Sequence, residues 1–146
     1  MKISTKGRYA LRMIIDLASH KNDGYVALKT IADRQDISKK YLEQIVPILN
    51  RTDILITNRG FQGGYMLGRD ASNITVGEVL RLTEGNLAPV ACLSNTGSVN
   101  CDRSALCPTL PIWQGLNDVV NNYLDSISIQ DLVDADRTNS ADDYVI

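Results

Sequence analysis

The stretch Leu55-Ile56-Thr57-Asn58-Arg59-Gly60-Phe61-Gln62-Gly63-Gly64-Tyr65-Met66-Leu67 decides the fold. Its ends are short β-type runs and its middle is a glycine-rich tip, which is the pattern of a β-hairpin. A phosphate-cradling nucleotide loop is a poor match, because no Lys-Ser or Lys-Thr follows the glycines and a strand rather than a helix comes next. Arg59 and Gln62 at the tip can reach a phosphate or a groove, while Gly60 and Gly63 allow close backbone approach.

Immediately upstream, Ser38 can cap a helix expected over residues 39–51, in which Pro47 should produce a kink. Before it come a short helix near 28–34 and a break at Gln35 and Asp36. Small Ala32 permits close helix contact, Ile37 anchors the turn, and Leu42 and Ile45 supply an inner apolar face, as a helix-turn-helix requires. Any pair of packed helices could use these residues; followed by a hairpin, they read as a winged helix. The fold class is therefore mainly α with one small β-hairpin. Lys39, Lys40, Tyr41, Glu43 and Gln44 lie in the first turns of the second helix, the end that enters a major groove in this architecture. Lys and Tyr suit phosphates, whereas Glu43 and Gln44 can read base edges. Lys6, Arg8, Lys29 and Ser38 complete the candidate DNA-contacting set with Arg59, Gly60, Gln62 and Gly63.

Further out, Ser4 or Thr5 caps a scaffold helix bearing Leu11, Ile14, Ile15, Leu17 and Ala18 on one side, ended by Asn22, Asp23 and Gly24. On the other flank, Thr75-Val76-Gly77-Glu78 is a capping box opening a helix to about residue 82. Residues 85–109 read as loop and contain Cys92, Cys101 and Cys107. Ile112, Leu116, Val119, Val120, Tyr123 and Leu124 then form a helical apolar stripe that wants a partner surface, either a second copy or its own domain. Ser128-Ile129-Gln130-Asp131 signals another helix start before Leu132 and Val133. The expected organisation is a DNA-binding domain over 1–83, a cysteine-containing sensor loop over 84–110, a dimerisation helix with a short following helix over 111–135, and a frayed polar tail over 136–146.

Charge divides along the same line. Residues 1–70 carry 12 Lys or Arg against 7 Asp or Glu, a balance of +5, and residues 71–146 carry 3 against 10, a balance of −7. A basic front half suits a polyanion, although solvated faces that merely differ would look the same. With 44% apolar residues, 146 residues suffice for a core. Residues 1–9 precede no apolar signal core, and no run that is both uncharged and apolar approaches the roughly 18 residues of a membrane span, so a cytoplasmic location is expected. Three cysteines in such a chain favour free thiols or a metal site over a disulfide framework.

The segments Met1-Lys2-Ile3-Ser4-Thr5-Lys6-Gly7-Arg8-Tyr9-Ala10, Tyr41-Leu42-Glu43-Gln44 and Arg59-Gly60-Phe61-Gln62-Gly63-Gly64-Tyr65 with Leu67-Gly68 together resemble the Rrf2 family of bacterial winged-helix regulators. The resemblance runs from Met1 to about Val133. It implies a homodimer on imperfect palindromes of double-stranded DNA, with the helix over 39–51 in the major groove and the hairpin tip over 59–64 in the minor groove. The cysteine loop is similar to the iron-sulfur branch, in which three thiolates hold a 2Fe-2S cluster, soft sulfur matching cluster iron. Here eight residues separate Cys92 from Cys101 and five separate Cys101 from Cys107, against five and five in IscR-type chains. The histidine that serves as fourth ligand there corresponds to Leu110, and the aspartate used by NsrR-type chains corresponds to Arg8. His20, near the end of the first helix, suits a solvent-facing or capping role. A backbone, solvent, thiol or carboxylate donor such as Asp102 remains open. CymR-type relatives respond instead through a regulatory partner protein, and thiol oxidation or zinc would also use these cysteines.

An enzyme is not expected, since the chain has one histidine, no carboxylate or nucleophile pair at a recognisable spacing, and no cofactor loop. A protein-binding adaptor is separable by salt dependence: DNA affinity should fall with a log-log slope near −0.9 per neutralised phosphate.

Overall fold

The computed structural model describes residues 1–94 and 101–142. Ser4 accepts a hydrogen bond from Gly7 N at 3.2 Å and starts α1 (Thr5–Ser19). The helix stops at His20, earlier than Asn22, because a 3-10 turn takes over at Lys21–Asp23. His20 Nδ1 lies 2.8 Å from the Asp16 carbonyl, so the imidazole caps α1. The helix-turn-helix is α2 (Leu28–Gln35) and α3 (Lys39–Leu49). Asp36 makes the break in the left-handed conformation, φ 51° and ψ 49°, which a short polar side chain tolerates. One buried charge secures that turn: Asp16 on α1 accepts from Arg34 Nε at 3.0 Å, Arg34 Nη2 at 2.5 Å and Gln35 Nε2 at 3.0 Å. The α3 helix ends at Leu49 rather than near 51, and Pro47 sits in its last turn, where it has no N–H to give the Glu43 carbonyl.

The hairpin is β1 (Leu55–Asn58) antiparallel to β2 (Gly64–Leu67), with Leu55 opposite Leu67 and Asn58 opposite Gly64. Val26 and Tyr65 exchange both backbone hydrogen bonds at 2.8 Å and extend the pairing by one bridge. A side chain on Gly64 would run into the Val26 carbonyl, which is why the strand starts on glycine.

In α4 (Val76–Glu84) the capping box is half made: Thr75 Oγ1 accepts from Glu78 N at 3.1 Å, but the Glu78 carboxylate pairs with Arg69. The long helix α5 (Leu110–Asp125) and α6 (Ile129–Asp142) follow. The box opening α6 is reciprocal, with Asp131 N on Ser128 Oγ at 3.1 Å and Ser128 N on Asp131 Oδ2 at 2.8 Å.

The core is built from Met13, Ile14, Ile31, Leu42, Ile45, Leu49, Ile54, Ile74 and Val79, and it is closed by Ile129 and Val133. The α6 helix, grouped by sequence with α5, thus packs in the DNA-binding head, where Ile129 N also donates to Ile74 O at 2.8 Å. Helix continues beyond Asp136 as far as Asp142, supported by local bonds such as Thr138 Oγ1 to Asp134 O at 3.0 Å rather than by burial. Among the described residues, no helix is long and apolar enough to cross a membrane.

Candidate nucleic-acid interface and cysteine loop

The inward residues of α3 leave the opposite face to solvent. Leu42, Ile45 and Leu49 are buried, while Lys39, Lys40, Glu43 and Gln44 are exposed. Ser38 spends its hydroxyl on the helix cap, accepting from Tyr41 N at 3.3 Å. Tyr41 is half-buried and meets the Tyr9 ring edge-on at 5.3 Å between centroids, and Arg12 lies 5.4 Å from the Tyr9 centroid, so this aromatic contact fixes α3 against α1.

Between α3, the start of α2 and the wing runs an open groove of about 610 Å³. It brings together Lys29, Lys39, Glu43, Arg59, Gly60 and Gly63 from the predicted set. Lys29 pairs with Asp33 at 3.0 Å and Lys39 with Glu43 at 4.0 Å, all on exposed side chains, so both pairs are weak and easily given up for another anion. Lys40 and Gln44 stand on the exposed face of α3 outside the groove lining, and Gln62 is exposed at the wing tip. Lys6 and Arg8 lie on the first turns of α1, away from the groove, with Arg8 Nη2 donating to Thr5 Oγ1 at 3.1 Å.

The wing is braced at its base. Arg69 pairs with Glu78, donates from Nη1 to Asn73 O at 2.9 Å, and places Nε 3.0 Å from Asp53 Oδ1 as a charge contact without hydrogen-bond alignment. Sequence reasoning passed over Asn50, Thr57 and Asn58, which line the groove, with Thr57 Oγ1 donating to Asn50 Oδ1 at 3.0 Å. It also passed over Phe61. The signal for the strand residues was present: polar Thr57 and Asn58 lead directly into Arg59.

All three cysteines are free thiols, Cys101 exposed and Cys92 and Cys107 half-buried. Among the described residues, no three His, Cys, Asp or Glu side chains converge in a metal-holding group. The Cys107 thiol is held below the ordinary cysteine range by the Thr109 hydroxyl, 3.4 Å away, and by nearby backbone N–H groups and Arg103. His20 is engaged with Asp16, and Leu110 opens α5. Beyond this loop α5 buries no residue, and Ile112, Val119 and Tyr123 are 61%, 66% and 65% exposed.

A helix-turn-helix with a cationic groove beside a two-stranded wing defines a winged-helix DNA-binding transcription regulator. The chain belongs to the Rrf2 family, described as iron-dependent transcriptional regulators, whose profile it matches over residues 3–135. It is 38% identical over 133 residues to the HTH-type transcriptional regulator IscR of Photorhabdus laumondii, covering 91% of this chain and 79% of that one. The structure of CymR, the global cysteine regulator of B. subtilis, superposes with a TM-score of 0.74 at 36% identity, covering 92% of this chain and 98% of that one. T. potens IscR superposes with a TM-score of 0.69 at 34% identity, covering 92% and 88%. Relatives in this family are regulators, not enzymes.

Proposed function

We propose that two copies of the chain pair through α5 and read an imperfect palindrome, with α3 in the major groove and the Gly60 tip in the minor groove, and that a 2Fe-2S cluster on Cys92, Cys101 and Cys107 sets operator affinity. The observation that carries the DNA reading is the groove in which Lys29, Lys39 and Arg59 converge from three elements. Pairing is supported by the apolar stripe of α5, whose outward residues find no cover among the described residues. The donor set fits a cluster chemically: three uncombined thiols in one loop, one of them shifted toward thiolate. When bound, the cluster would make the loop's shape responsive to iron and redox state. The chain's own part is to deliver that shape to α5, which starts three residues after Cys107.

The test is a visible spectrum with iron and sulfide analysis on protein purified without air, beside Cys101→Ala. Brown, iron-loaded protein that loses its colour in the variant supports the cluster; equal operator affinity with and without it would sink the coupling. Colourless, metal-free protein that still binds DNA favours the second reading, control by thiol oxidation or a partner protein. The lowered Cys107 thiol and the likeness to CymR support that alternative.

A further inference from the structure

Phe61 is the chain's one phenylalanine, and its ring is 105% exposed, more than any other large apolar side chain among the described residues. Burying such a ring is favourable, so the apex of the wing carries an unspent driving force for contact. Its backbone presents the ring outward. Gly63 N donates to Gly60 O at 3.0 Å, closing a four-residue turn with Phe61 and Gln62 at its centre, and Gly60 holds φ at +131°. A side chain on Gly63 would strike the Asn58 carbonyl. The tip is therefore a thin blade of backbone edged by Arg59, Phe61 and Gln62. Residues 55–67 contain no acidic side chain, and Arg59 makes no ion pair among the described residues.

We infer that Phe61 is a DNA wedge: as the blade enters the minor groove, the phenyl ring slides between two base pairs, partly unstacks them and bends the duplex toward the major groove. A blade flanked by cation and amide matches a groove only about 6 Å wide that presents acceptors, and insertion of an apolar side chain there is an established way to trade stacking for a bend. A protein-binding apex would not need the flanking donors. The apolar α5 surface lies on a separate element, so a chain-to-chain contact does not require this ring. The inference deepens the proposed DNA reading and rests on it.

The test uses the full chain and a duplex it selects from a random pool, labelled with 2-aminopurine at successive steps under the wing. Expected is a fluorescence rise at one step with wild type and none with Phe61→Ala, about 10-fold weaker binding by the variant, an unchanged salt slope, and recovery in Phe61→Leu. A mismatch placed at that step should tighten wild-type binding and leave Phe61→Ala unaffected. No rise at any step, with Phe61→Ala binding within twofold of wild type while Arg59→Ala still weakens it, overturns the wedge and leaves the DNA reading standing. Loss of self-association in Phe61→Ala with unchanged unstacking assigns the ring to a protein contact and also overturns it. Failure of wild type to select any duplex overturns the DNA reading itself. Because the ring touches solvent alone, none of these variants threatens folding.

Discussion

Lys40 and Gln44, one helical turn apart on α3, share an exposed face yet differ in what they can tell a duplex. An ammonium sees phosphate charge; a carboxamide can donate and accept at one base edge. Lys40→Ala should weaken all duplexes by a similar factor and lower the salt slope by about 1, while Gln44→Ala should relax preference at one or two base positions, worth roughly 1–3 kcal/mol each. Competition binding across a set of singly substituted operators at several salt concentrations separates them. Intact binding in both variants would show that α3 is not the reading helix. At this scale the sequence was legible where chemistry is local, as with the solvent-facing cations and the capping role of His20. It was silent where the answer depends on distant partners. Tyr41 leans on Tyr9 across 32 positions, and Asn50 meets Thr57 only once the wing folds back.

Elements announced themselves through their ends. Ser4, Ser38, Thr75 and Ser128 all cap as their sequences suggest, because a hydroxyl three residues ahead of an unpaired N–H needs no tertiary information. The α6 helix shows the limit: its start was readable, but its destination was not, since Ile129 and Val133 find their cavity only after Ile74 has been placed. Its cap also titrates. Asp131 accepts from the Ser128 backbone N–H and hydroxyl, which holds its carboxyl below the usual range. A lowered folded-state value means that the stabilisation is fully present above the unfolded value near 3.9 and is lost as pH falls through the folded one. Thermal melts of wild type and Asp131→Asn should therefore differ at pH 7 and converge as pH falls below about 4 through the folded-state value. A constant difference across that range would remove the carboxylate from the cap.

For the whole molecule the decisive surface is α5. Placing a charge in its exposed stripe, as in Val119→Asp, should yield folded monomers, because Val119 lies mostly in solvent within the chain. With one half-site left to hold, operator affinity should fall by about 100-fold or more. Sedimentation and circular dichroism on the same sample would check both statements, and a dimer that survives would move the seam elsewhere. Architecture at this scale was visible in the charge asymmetry and in the uncovered stripe. The cysteine loop was visible as chemistry alone, since spacing does not convey where a loop without regular repeats places its thiols.

Arg81 on α4 pairs with Asp125 and donates to Asn121 Oδ1 at 2.9 Å, and Val76 N donates to Ile127 O at 2.9 Å, so the lower half of α5 is clamped to the same head that carries α3. In the proposed dimer such a clamp would leave no swivel at the base of α5, and the distance and helical phase between the two reading heads would become properties of the fold. One inserted base pair turns the far half-site by roughly 34° and shifts it by about 3.4 Å. A flexibly tethered pair would follow that change. This one should lose most of its affinity for the lengthened operator, recover little with two or three extra pairs, and so use spacing itself as part of its address code.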